Sequence, residues 1–365
     1  MYNWQFENWP NLTYSVEKLQ GISVSFAQEF GVINGLLTGL NDELKQETLL
    51  EILIEEAIKT SEIEGEYMSR EDVMSSIKNN LWLHHSPEVK DKRASGVAKL
   101  MVEVNRKTAI PLTTDLLCHW HQLLMEQNQK VNPGSWRQGE APMQIVSGAY
   151  GREVVHYEAP PSAIVPDEMK QLINWYNNPE LPVKDNISKA LLKSAIAHLH
   201  FESIHPFEDG NGRIGRALAE FALRQTLNVP VLLSLSKTIE KNRKLYYEQL
   251  KSAQRSLDIT EWVAYFSEII LEAQKDSKGL VEFTLKKAKF FDKYKSQINE
   301  RQLKVINRML EEGTTGFTGG MTAKKYIAIA KTSKATATRD LQQLNEIGAF
   351  VLEGAGRSVR YQLVL

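Results

Sequence analysis

The sequence has almost no cysteine, no long apolar run and no signal-peptide pattern at its start. Its single cysteine, Cys118, excludes a disulfide framework and any zinc or iron–sulfur site built from several cysteines. No stretch approaches the roughly 20 consecutive apolar residues of a membrane-spanning helix. The first residues, Met1 to Gln5, lack the basic-then-apolar order of a secretory signal. We therefore expect a cytoplasmic protein with no membrane partner.

The composition is that of a globular protein with an uneven charge distribution. Of the 365 residues, 42% are apolar and 24% are charged, which excludes disordered and collagen-like classes. The length predicts two or three domains. Residues 281–365 hold 15 Lys and Arg against 8 Asp and Glu, although the net charge of the whole chain is −1. This asymmetry indicates a separate basic C-terminal unit and argues against nucleic-acid binding by the acidic remainder.

Helical spacing of apolar residues dominates the chain, so the expected fold class is mainly α. Residues 143–158 differ, because two short strand-like segments flank a glycine-bearing turn at residues 148–151 and predict a β-hairpin. From about residue 299, three helical segments, the third capped by Ser333, precede a second hairpin. The order helix, helix, helix, hairpin predicts a winged helix-turn-helix.

One segment is chemically distinctive: residues 205–216, His-Pro-Phe-Glu-Asp-Gly-Asn-Gly-Arg-Ile-Gly-Arg. Gly210, Gly212 and Gly215 match the spacing of a dinucleotide-binding loop, which needs a preceding strand and an acidic residue about 20 positions later. The preceding residues have helical spacing, and residues 228–233 contain no carboxylate. We therefore reject a Rossmann interpretation.

The same segment has the residue types of a polyphosphate site. Gly210 and Gly212 let the backbone approach a ligand and direct N–H groups at it, and a helix that starts near Arg213 adds its positive end. Arg213 and Arg216 are three residues apart, so we expect both guanidinium groups on one face. Asp209 supplies the hard oxygen ligand that a magnesium ion shared with phosphates needs.

His205 directly precedes this loop, and we expect it to act as a general base. An alternative groups it with His198, His200 and Asp209 as a metal-hydrolase cluster. Residues two apart on a helix diverge by about 200°, so His198 and His200 are poorly placed to share one ion. The sequence has no His-Glu-x-x-His pattern to support the alternative, and core or supporting roles are favoured for these two histidines.

Residues 205–216 resemble the motif of the Fic (Fido-domain) family, His-Pro-Phe-x-[Asp/Glu]-Gly-Asn-[Gly/Lys]-Arg-x-x-Arg, at every defined position. The resemblance implies a helical Fic core with a β-hairpin flap. It also implies a protein adenylyltransferase, which transfers AMP from ATP to a Ser, Thr or Tyr hydroxyl of a target protein or of itself. ATP would be the co-substrate and Mg²⁺ the cofactor.

The resemblance assigns a role to each motif residue. His205 would deprotonate the target hydroxyl, and Asp209 would hold Mg²⁺ between the α- and β-phosphates. Asn211 and the amides of the glycine loop would bind those phosphates, Arg213 would complete the cradle, and Arg216 would grip the γ-phosphate. The predicted nucleotide-binding residues in the motif are Gly210, Asn211, Gly212, Arg213, Ile214, Gly215 and Arg216.

An inhibitory motif is expected on the N-terminal side of the core. Thr60-Ser-Glu-Ile-Glu64-Gly65 is similar to the family pattern [Ser/Thr]-x-x-x-Glu-[Gly/Asn], and Thr60 and Glu64 share a helix face. The resemblance implies that Glu64 pairs with Arg216 and prevents productive binding of the γ-phosphate. The sequence leaves open whether Glu64 also supports removal of AMP from a target.

Two further regions are expected to border the nucleotide and the target. Asn242, Tyr246 and Tyr247 lie where members of the family line the adenine pocket, and their spacing places them on one side of a helix. The hairpin at 143–158 is similar to the family's flap. An extended target segment would pair with the edge of that flap and bring its hydroxyl near His205.

The predicted organisation has three parts: an N-terminal segment with the inhibitory helix at 1–100, a Fic catalytic domain at 101–275 and a winged helix-turn-helix at 285–365. The last part supports an alternative function, a DNA-binding regulator. Its candidate contacts with phosphates and base edges are Ser333, Lys334, Thr336, Thr338, Arg339 and Gln342 on the third helix, and Arg357 and Arg360 on the wing. The sequence is also compatible with a homodimer.

Overall fold

The computed structural model describes residues 1–82, 89–106, 110–128, 130–147, 154–228, 231–354 and 358–365. The helices of these residues are α1 (Leu19–Thr38), α2 (Asp42–Ile63), α3 (Arg70–Trp82), α4 (Lys92–Arg106), α5 (Thr114–Met125), α6 (Val165–Asn177), α7 (Asn186–Ile204), α8 (Asn211–Leu227), α9 (Leu235–Lys241), α10 (Arg243–Ala253), α11 (Thr260–Tyr294), α12 (Glu300–Leu310), α13 (Ala323–Ala330) and α14 (Lys334–Glu346). The strands β1 (Gln144–Ser147) and β2 (Val154–Glu158) form one antiparallel pair, and β3 (Phe350–Glu353) and β4 (Arg360–Leu363) form another. The expected mainly α fold class is confirmed. The predicted turn at 148–151 and Arg357 lie outside the described residues.

The chain forms two compact units. The first contains residues 1–32 and 49–277, and the second contains residues 33–48 and 278–365. The three boundaries between these units fall inside the helices α1, α2 and α11. The three-part division at 1–100, 101–275 and 285–365 therefore stays a prediction. No described helix is long and apolar enough to cross a membrane.

Helix α7 is the centre of the first unit. Every residue from Ala190 to Ile204 is buried, so the helix is surrounded by protein and shows no single apolar stripe. Phe201 belongs to a cluster that includes Trp120 and Phe207, whereas Leu199 belongs to a second cluster around Trp262. Because α7 contributes to both clusters, packing holds its C-terminal end, where the candidate site begins, in one position.

The N-terminal aromatic segment is anchored on the same unit. The side-chain amide of Asn3 donates to Ser203 Oγ at 2.8 Å, at the end of α7. The indole of Trp4 donates to the carbonyl of Glu158 at 2.8 Å, on strand β2. These hydrogen bonds connect the first residues of the chain to the C-terminal end of α7 and to the hairpin.

The second unit has the helix and strand order that the C-terminal sequence predicts. Helices α12, α13 and α14 pack with β3 around a cluster that includes Ile306, Leu341 and Phe350. The side chain of Ser333 accepts a hydrogen bond from the N–H of Thr336, which confirms it as the cap of α14. Strands β3 and β4 then close the chain with Phe350 opposite Leu363.

A buried pair of carboxyl groups connects α2, α8 and the start of α9. Glu56 Oε2 accepts hydrogen bonds from Ser234 Oγ at 2.7 Å and from the N–H of Ser236 at 2.9 Å. Glu220 is buried beside it, and its Oε1 has no hydrogen-bond partner among the described residues. Burial and the charge of Glu56 raise the pKa of Glu220 well above its ordinary value. Glu220 is therefore the member of the pair that keeps its proton.

We expect Glu220→Gln to stabilise the protein at neutral pH but not in acid. Unfolded Glu220 releases its proton above a pH of about 4.3, whereas folded Glu220 keeps it, so wild-type stability falls as the pH rises toward the raised pKa. Glutamine is neutral at every pH, so the stability of the variant does not fall in this way as the pH rises. Thermal denaturation at pH 7 should show a higher Tm for Glu220→Gln than for the wild type, and the gain should vanish near pH 4.

Glu268 provides the control for this measurement, because it is an exposed glutamate of α11. Glu268→Gln should leave the Tm unchanged at both pH values. A Tm of Glu220→Gln at or below the wild-type value at pH 7 would contradict the assignment of the proton.

Candidate active site

A cleft of about 620 Å³ opens in the first unit where α7 ends and α8 begins. The residues after α2, the hairpin β1–β2 and α10 also line it. The predicted site residues on its walls are Glu64, His205, Asp209, Gly210, Asn211, Gly212, Arg216, Tyr246 and Tyr247. The others, Thr60, Gly65, Arg213, Ile214, Gly215 and Asn242, are not among the described lining residues.

The backbone at His205 has an unusual conformation that turns the chain out of α7. His205 caps the helix with φ 51° and ψ 59°, in the left-handed region, where histidine occurs more often than most residues. The buried Arg137 stabilises this turn, because its Nε donates to the His205 carbonyl at 2.8 Å and one Nη donates to the Ile204 carbonyl at 3.3 Å. The side chain of His205 is 16% exposed and reaches the cleft.

The loop between α7 and α8 is held by an aromatic anchor and an amide clamp. Phe207 is fully buried and stacks on His121 with a centroid distance of 3.9 Å, so it anchors the loop in the core. Asn211 Oδ1 accepts from the N–H of Phe207 at 2.9 Å, and Asn211 Nδ2 donates to the Phe207 carbonyl at 2.8 Å. The side chain of Asn211 therefore shapes the loop, which leaves its main-chain N–H as the group for a phosphate.

Helix α8 begins at Asn211, two residues earlier than the sequence predicts, with Gly210 as its N-cap. Gly210 has φ 80°, and a Cβ there would lie 2.3 Å from Met125 Cε. The positive φ favours glycine, and a side chain at this position would also displace the end of Met125. The N–H groups of residues 211–213 have no carbonyl partner inside their own helix, so the end of α8 presents donors and a positive dipole to an anion.

Arg216 is buried and hydrogen-bonded to Thr60 of α2 and to Glu64, which directly follows that helix. Its Nε donates to Thr60 Oγ1 at 2.9 Å, and one Nη donates to the Thr60 carbonyl at 2.9 Å and to Glu64 Oε1 at 2.8 Å. Burial acts to lower the pKa of Arg216, but the charge and hydrogen bond of Glu64 together with the nearby Tyr246 and Tyr247 outweigh it, and the pKa is raised. The guanidinium is therefore charged, and Thr60 and Glu64 act on it together.

A helix-ending turn positions Glu64 and a second carboxylate, Glu66. Gly65 has φ 79°, and the N–H of Glu66 returns to the Ser61 carbonyl at 2.9 Å, as in a Schellman cap of α2. Glu66 Oε2 accepts from Arg213 at 2.9 Å. The two acidic residues on either side of Gly65 therefore pair with the two arginines of the motif.

Asp209 is one of the carboxylates that line the cleft. Its side chain is 47% exposed, and Oδ1 accepts from the N–H of Gly210 at 2.6 Å. Across the described ranges, no group of three or more His, Cys, Asp or Glu side chains is placed to hold a metal ion. A single carboxylate fits magnesium, which commonly binds one or two protein carboxylates and completes its octahedron with water and substrate phosphates.

The two tyrosines of α10 border the cleft in different ways. Tyr246 is buried, and its hydroxyl hydrogen-bonds His198 Nε2 at 2.7 Å. Tyr247 is 41% exposed and packs edge-on against Tyr246 with a centroid distance of 5.2 Å. Tyr247 therefore presents an aromatic surface to the cleft, whereas Tyr246 supports it from below. Asn242 is exposed at the junction of α9 and α10.

The hairpin forms one wall of the cleft. Ile145 and Val146 from β1 and His156 and Tyr157 from β2 line it, and β1 pairs with β2 through a register shift between Ile145 and Val146. The hydroxyl of Tyr157 donates to the Ser203 carbonyl at 2.7 Å, which fixes the hairpin to the end of α7.

The sequence analysis missed Glu202, Glu66 and Arg137. Glu202 Oε2 lies 3.7 Å from His205 Nδ1, and Glu202 also lines the cleft. Its separation of three residues from His205 on a helix was a usable signal. Glu66 and Arg137 gave no comparable signal, because their partners Arg213 and His205 are distant in sequence.

Two segments of the chain match known families. Residues 2–83 match a family described as a domain of unknown function, DUF4172. Residues 111–223 match the Fic/DOC family, and this segment contains the loop, α7 and most of α8.

Two proteins named protein adenylyltransferase are similar to part of this chain. A probable protein adenylyltransferase of Aquifex aeolicus is 31% identical over 131 residues, which is 31% of this chain and 36% of that protein. The protein adenylyltransferase fic-1 of Caenorhabditis elegans is 32% identical over 101 residues, which is 28% of this chain and 18% of that protein. The chain thus spans well under half the length of these two relatives.

Solved structures share the fold at low sequence identity. A Fic family protein from Desulfovibrio desulfuricans has a TM-score of 0.57 at 20% identity, covering 97% of this chain and 98% of that chain. A signalling protein with a Fic domain from Bacteroides thetaiotaomicron has a TM-score of 0.53 at 18% identity, covering 71% of this chain and 97% of that chain. The matched segment, which contains the motif at residues 205–216, is therefore a Fic/DOC family domain, and the solved structures show that the chain shares their fold.

Proposed function

We propose that this protein is an adenylyltransferase that transfers AMP from MgATP to a hydroxyl group of a target protein or of itself. The observation that carries the proposal is the single cleft in which His205, Asp209, the first amides of α8 and Arg216 face the same space. A triphosphate needs these groups: N–H donors, a cationic side chain and a carboxylate for its magnesium ion. The names of the two relatives support the same activity.

In the proposed reaction, the target hydroxyl oxygen bonds to the α-phosphorus of ATP. The bond from that phosphorus to the oxygen bridging the α- and β-phosphates breaks, and pyrophosphate leaves. His205 takes the hydroxyl proton as a general base. The start of α8 stabilises charge on the phosphates through its N–H groups and dipole. Magnesium held by Asp209 and the phosphates would neutralise part of the phosphate charge.

The walls of the cleft suit the other parts of the two substrates. The exposed ring of Tyr247 is suited to stack on adenine, with Tyr246 behind it. The strands β1 and β2 form a two-stranded sheet, and an extended segment of the target would add to its edge. This addition would place a Ser, Thr or Tyr hydroxyl beside His205.

The proposed activity predicts that His205→Ala loses AMP transfer. Without the base, the rate should fall by about 10²–10⁴-fold. Intact-mass spectrometry after incubation with MgATP measures the added AMP, with Glu64→Gly as the common background. His119→Ala is the control, because His119 lies on α5 and is not among the described residues that line the cleft. Equal AMP incorporation by the two variants would refute the role of His205.

Autoinhibition by Glu64 is part of this proposal. The γ-phosphate of ATP would need the guanidinium of Arg216, which Thr60 and Glu64 occupy. A hydrogen bond to a charged group contributes about 1.5–3 kcal/mol, which is a factor of roughly 10–10² in binding. The Glu66–Arg213 pair adds a second contact between the same segment and α8.

We expect Glu64→Gly to raise self-modification by about 10–10²-fold, because Arg216 then becomes available to the γ-phosphate. Incorporation of labelled AMP into the purified protein measures the increase. Glu62→Gln is the matched control, since Glu62 pairs with Lys59 on the same helix and not with the motif. If Glu64→Gly incorporated no more AMP than wild type, the inhibitory assignment would fail.

The second unit supports a second candidate function, binding of duplex DNA. Lys334, Thr338, Arg339 and Gln342 form an exposed stripe along α14. Among the residues that the structure describes, neither Lys334 nor Arg339 has a carboxylate partner. By contrast, Arg360 on the wing pairs with Glu353 at 3.0 Å. A polar helix face that carries Lys334 and Arg339 suits contact with phosphates and groove edges.

DNA binding would appear as a steep dependence on salt. Full-length protein should bind a labelled duplex in fluorescence anisotropy, and the double variant Lys334→Ala, Arg339→Ala should lower the slope of log affinity against log salt by about 2. Lys18→Ala in the first unit is the control and should leave the slope unchanged. Equal slopes for the double variant and the wild type would exclude this surface.

A further inference from the structure

A buried carboxylate lies behind the proposed base. Glu202 precedes His205 by three residues on α7, and its side chain is 6% exposed. Its Oε2 lies 3.7 Å from His205 Nδ1, which is longer than a direct hydrogen bond. Catalytic contacts are often long without substrate and shorten when the base acquires charge.

Glu202 is charged although it is buried. Burial acts to raise the pKa of its carboxyl, but the contact with His205 and the nearby His198 and Arg216 outweigh this effect, and the pKa is lowered. A buried carboxylate of this kind is expensive unless cationic or hydrogen-bonding groups surround it. The nearby groups are His198 and His205 at the end of α7 and Arg216 of α8, and His198 is in turn bonded to Tyr246 of α10. Glu202 Oε1 has no hydrogen-bond partner among the described residues.

Helix α8 makes room for this carboxylate at Gly215. A Cβ on Gly215 would lie 2.2 Å from Glu202 Oε1 and 3.2 Å from His198 Nδ1. Any side chain at position 215 would therefore displace Glu202. Position 215 is therefore glycine because this residue makes room for Glu202, and not because a nucleotide approaches it.

The position of Glu202 relative to the imidazole determines which nitrogen keeps the proton. A carboxylate beside Nδ1 favours a hydrogen on Nδ1, and Nε2 is then left with a free lone pair. The bond from Arg137 to the His205 carbonyl fixes the backbone from which the imidazole extends. A protonated imidazole would also gain from the adjacent negative charge.

We propose that Glu202 is a positioning residue that holds His205 as the Nδ1–H tautomer, with Nε2 as the acceptor of the target's proton. The identity of the reaction that this base serves rests on the function proposed above, whereas the tautomer does not. During transfer, the proton moves from the target oxygen to Nε2. Glu202 stabilises the imidazolium and remains ionised itself.

The first test measures the tautomer directly and needs no nucleotide. Full-length protein with ¹⁵N-labelled histidine is compared with His205→Ala to identify the His205 signals among those of the eight histidines. At alkaline pH, we expect the ¹⁵N shifts of His205 to show hydrogen on Nδ1 and none on Nε2. A wild-type spectrum with the hydrogen on Nε2 would overturn the proposal.

The second test separates positioning from folding. In the Glu64→Gly background, Glu202→Gln should lower kcat for AMP transfer by about 10²-fold while KM for ATP changes by less than about twofold. Glu168→Gln is the matched control, because Glu168 is a buried carboxylate of α6 that accepts from Trp9 at 2.7 Å and is not among the described lining residues. An unchanged kcat in Glu202→Gln would also overturn the proposal. If neither the wild type nor Glu64→Gly transfers AMP, the proposed function fails, and the tautomer measurement alone decides the role of Glu202.

Discussion

The site depends on how closely two carboxylates approach the backbone of α8. A Cβ at Gly212 would lie 2.2 Å from Glu64 Oε1, and a Cβ at Gly215 would lie 2.2 Å from Glu202 Oε1. Each carboxylate reaches the helix only because glycine leaves the space open. Because Gly212 has no side chain, Glu64 can reach Arg216. Because Gly215 has none, Glu202 of α7 can lie beside His205. The glycines of the motif therefore set the positions of its neighbours as well as its own backbone.

Competition for Arg216 follows from its burial. The guanidinium is 1% exposed, and its hydrogen bonds go to Thr60 and Glu64, both from one segment. A phosphate that uses the guanidinium nitrogen bonded to Glu64 has to replace this carboxylate. The inhibition we propose has a limited strength of about 1.5–3 kcal/mol, the range for a charged hydrogen bond. A contact of that size is small enough for a binding partner to reverse, and the Glu66–Arg213 pair would be released with it.

The order of residue types in one short segment made much of the site predictable. His205, Asp209, Gly210, Gly212 and Arg216 all line the cleft, as their order in one short segment suggested. Asn211 also lines the cleft, but its side chain holds Phe207 of the same segment. Gly215 is not among the described residues on the cleft walls and faces Glu202 of α7, a partner outside the segment. Periodicity also predicted both hairpins and the order of the C-terminal elements. Periodicity did not predict that residues 33–48 belong to the same compact unit as residues 278–365. The boundaries of the units fall inside long helices, where the apolar spacing does not change.

Calorimetric titration of nucleotides tests the central claim, that a triphosphate and Glu64 compete for Arg216. ATP and AMP are titrated, with magnesium, into wild type and Glu64→Gly. The account predicts that removing Glu64 raises the affinity for ATP by at least about tenfold and leaves the affinity for AMP unchanged, since AMP has no γ-phosphate to reach Arg216. An equal gain for both nucleotides, or no gain for ATP, would contradict it.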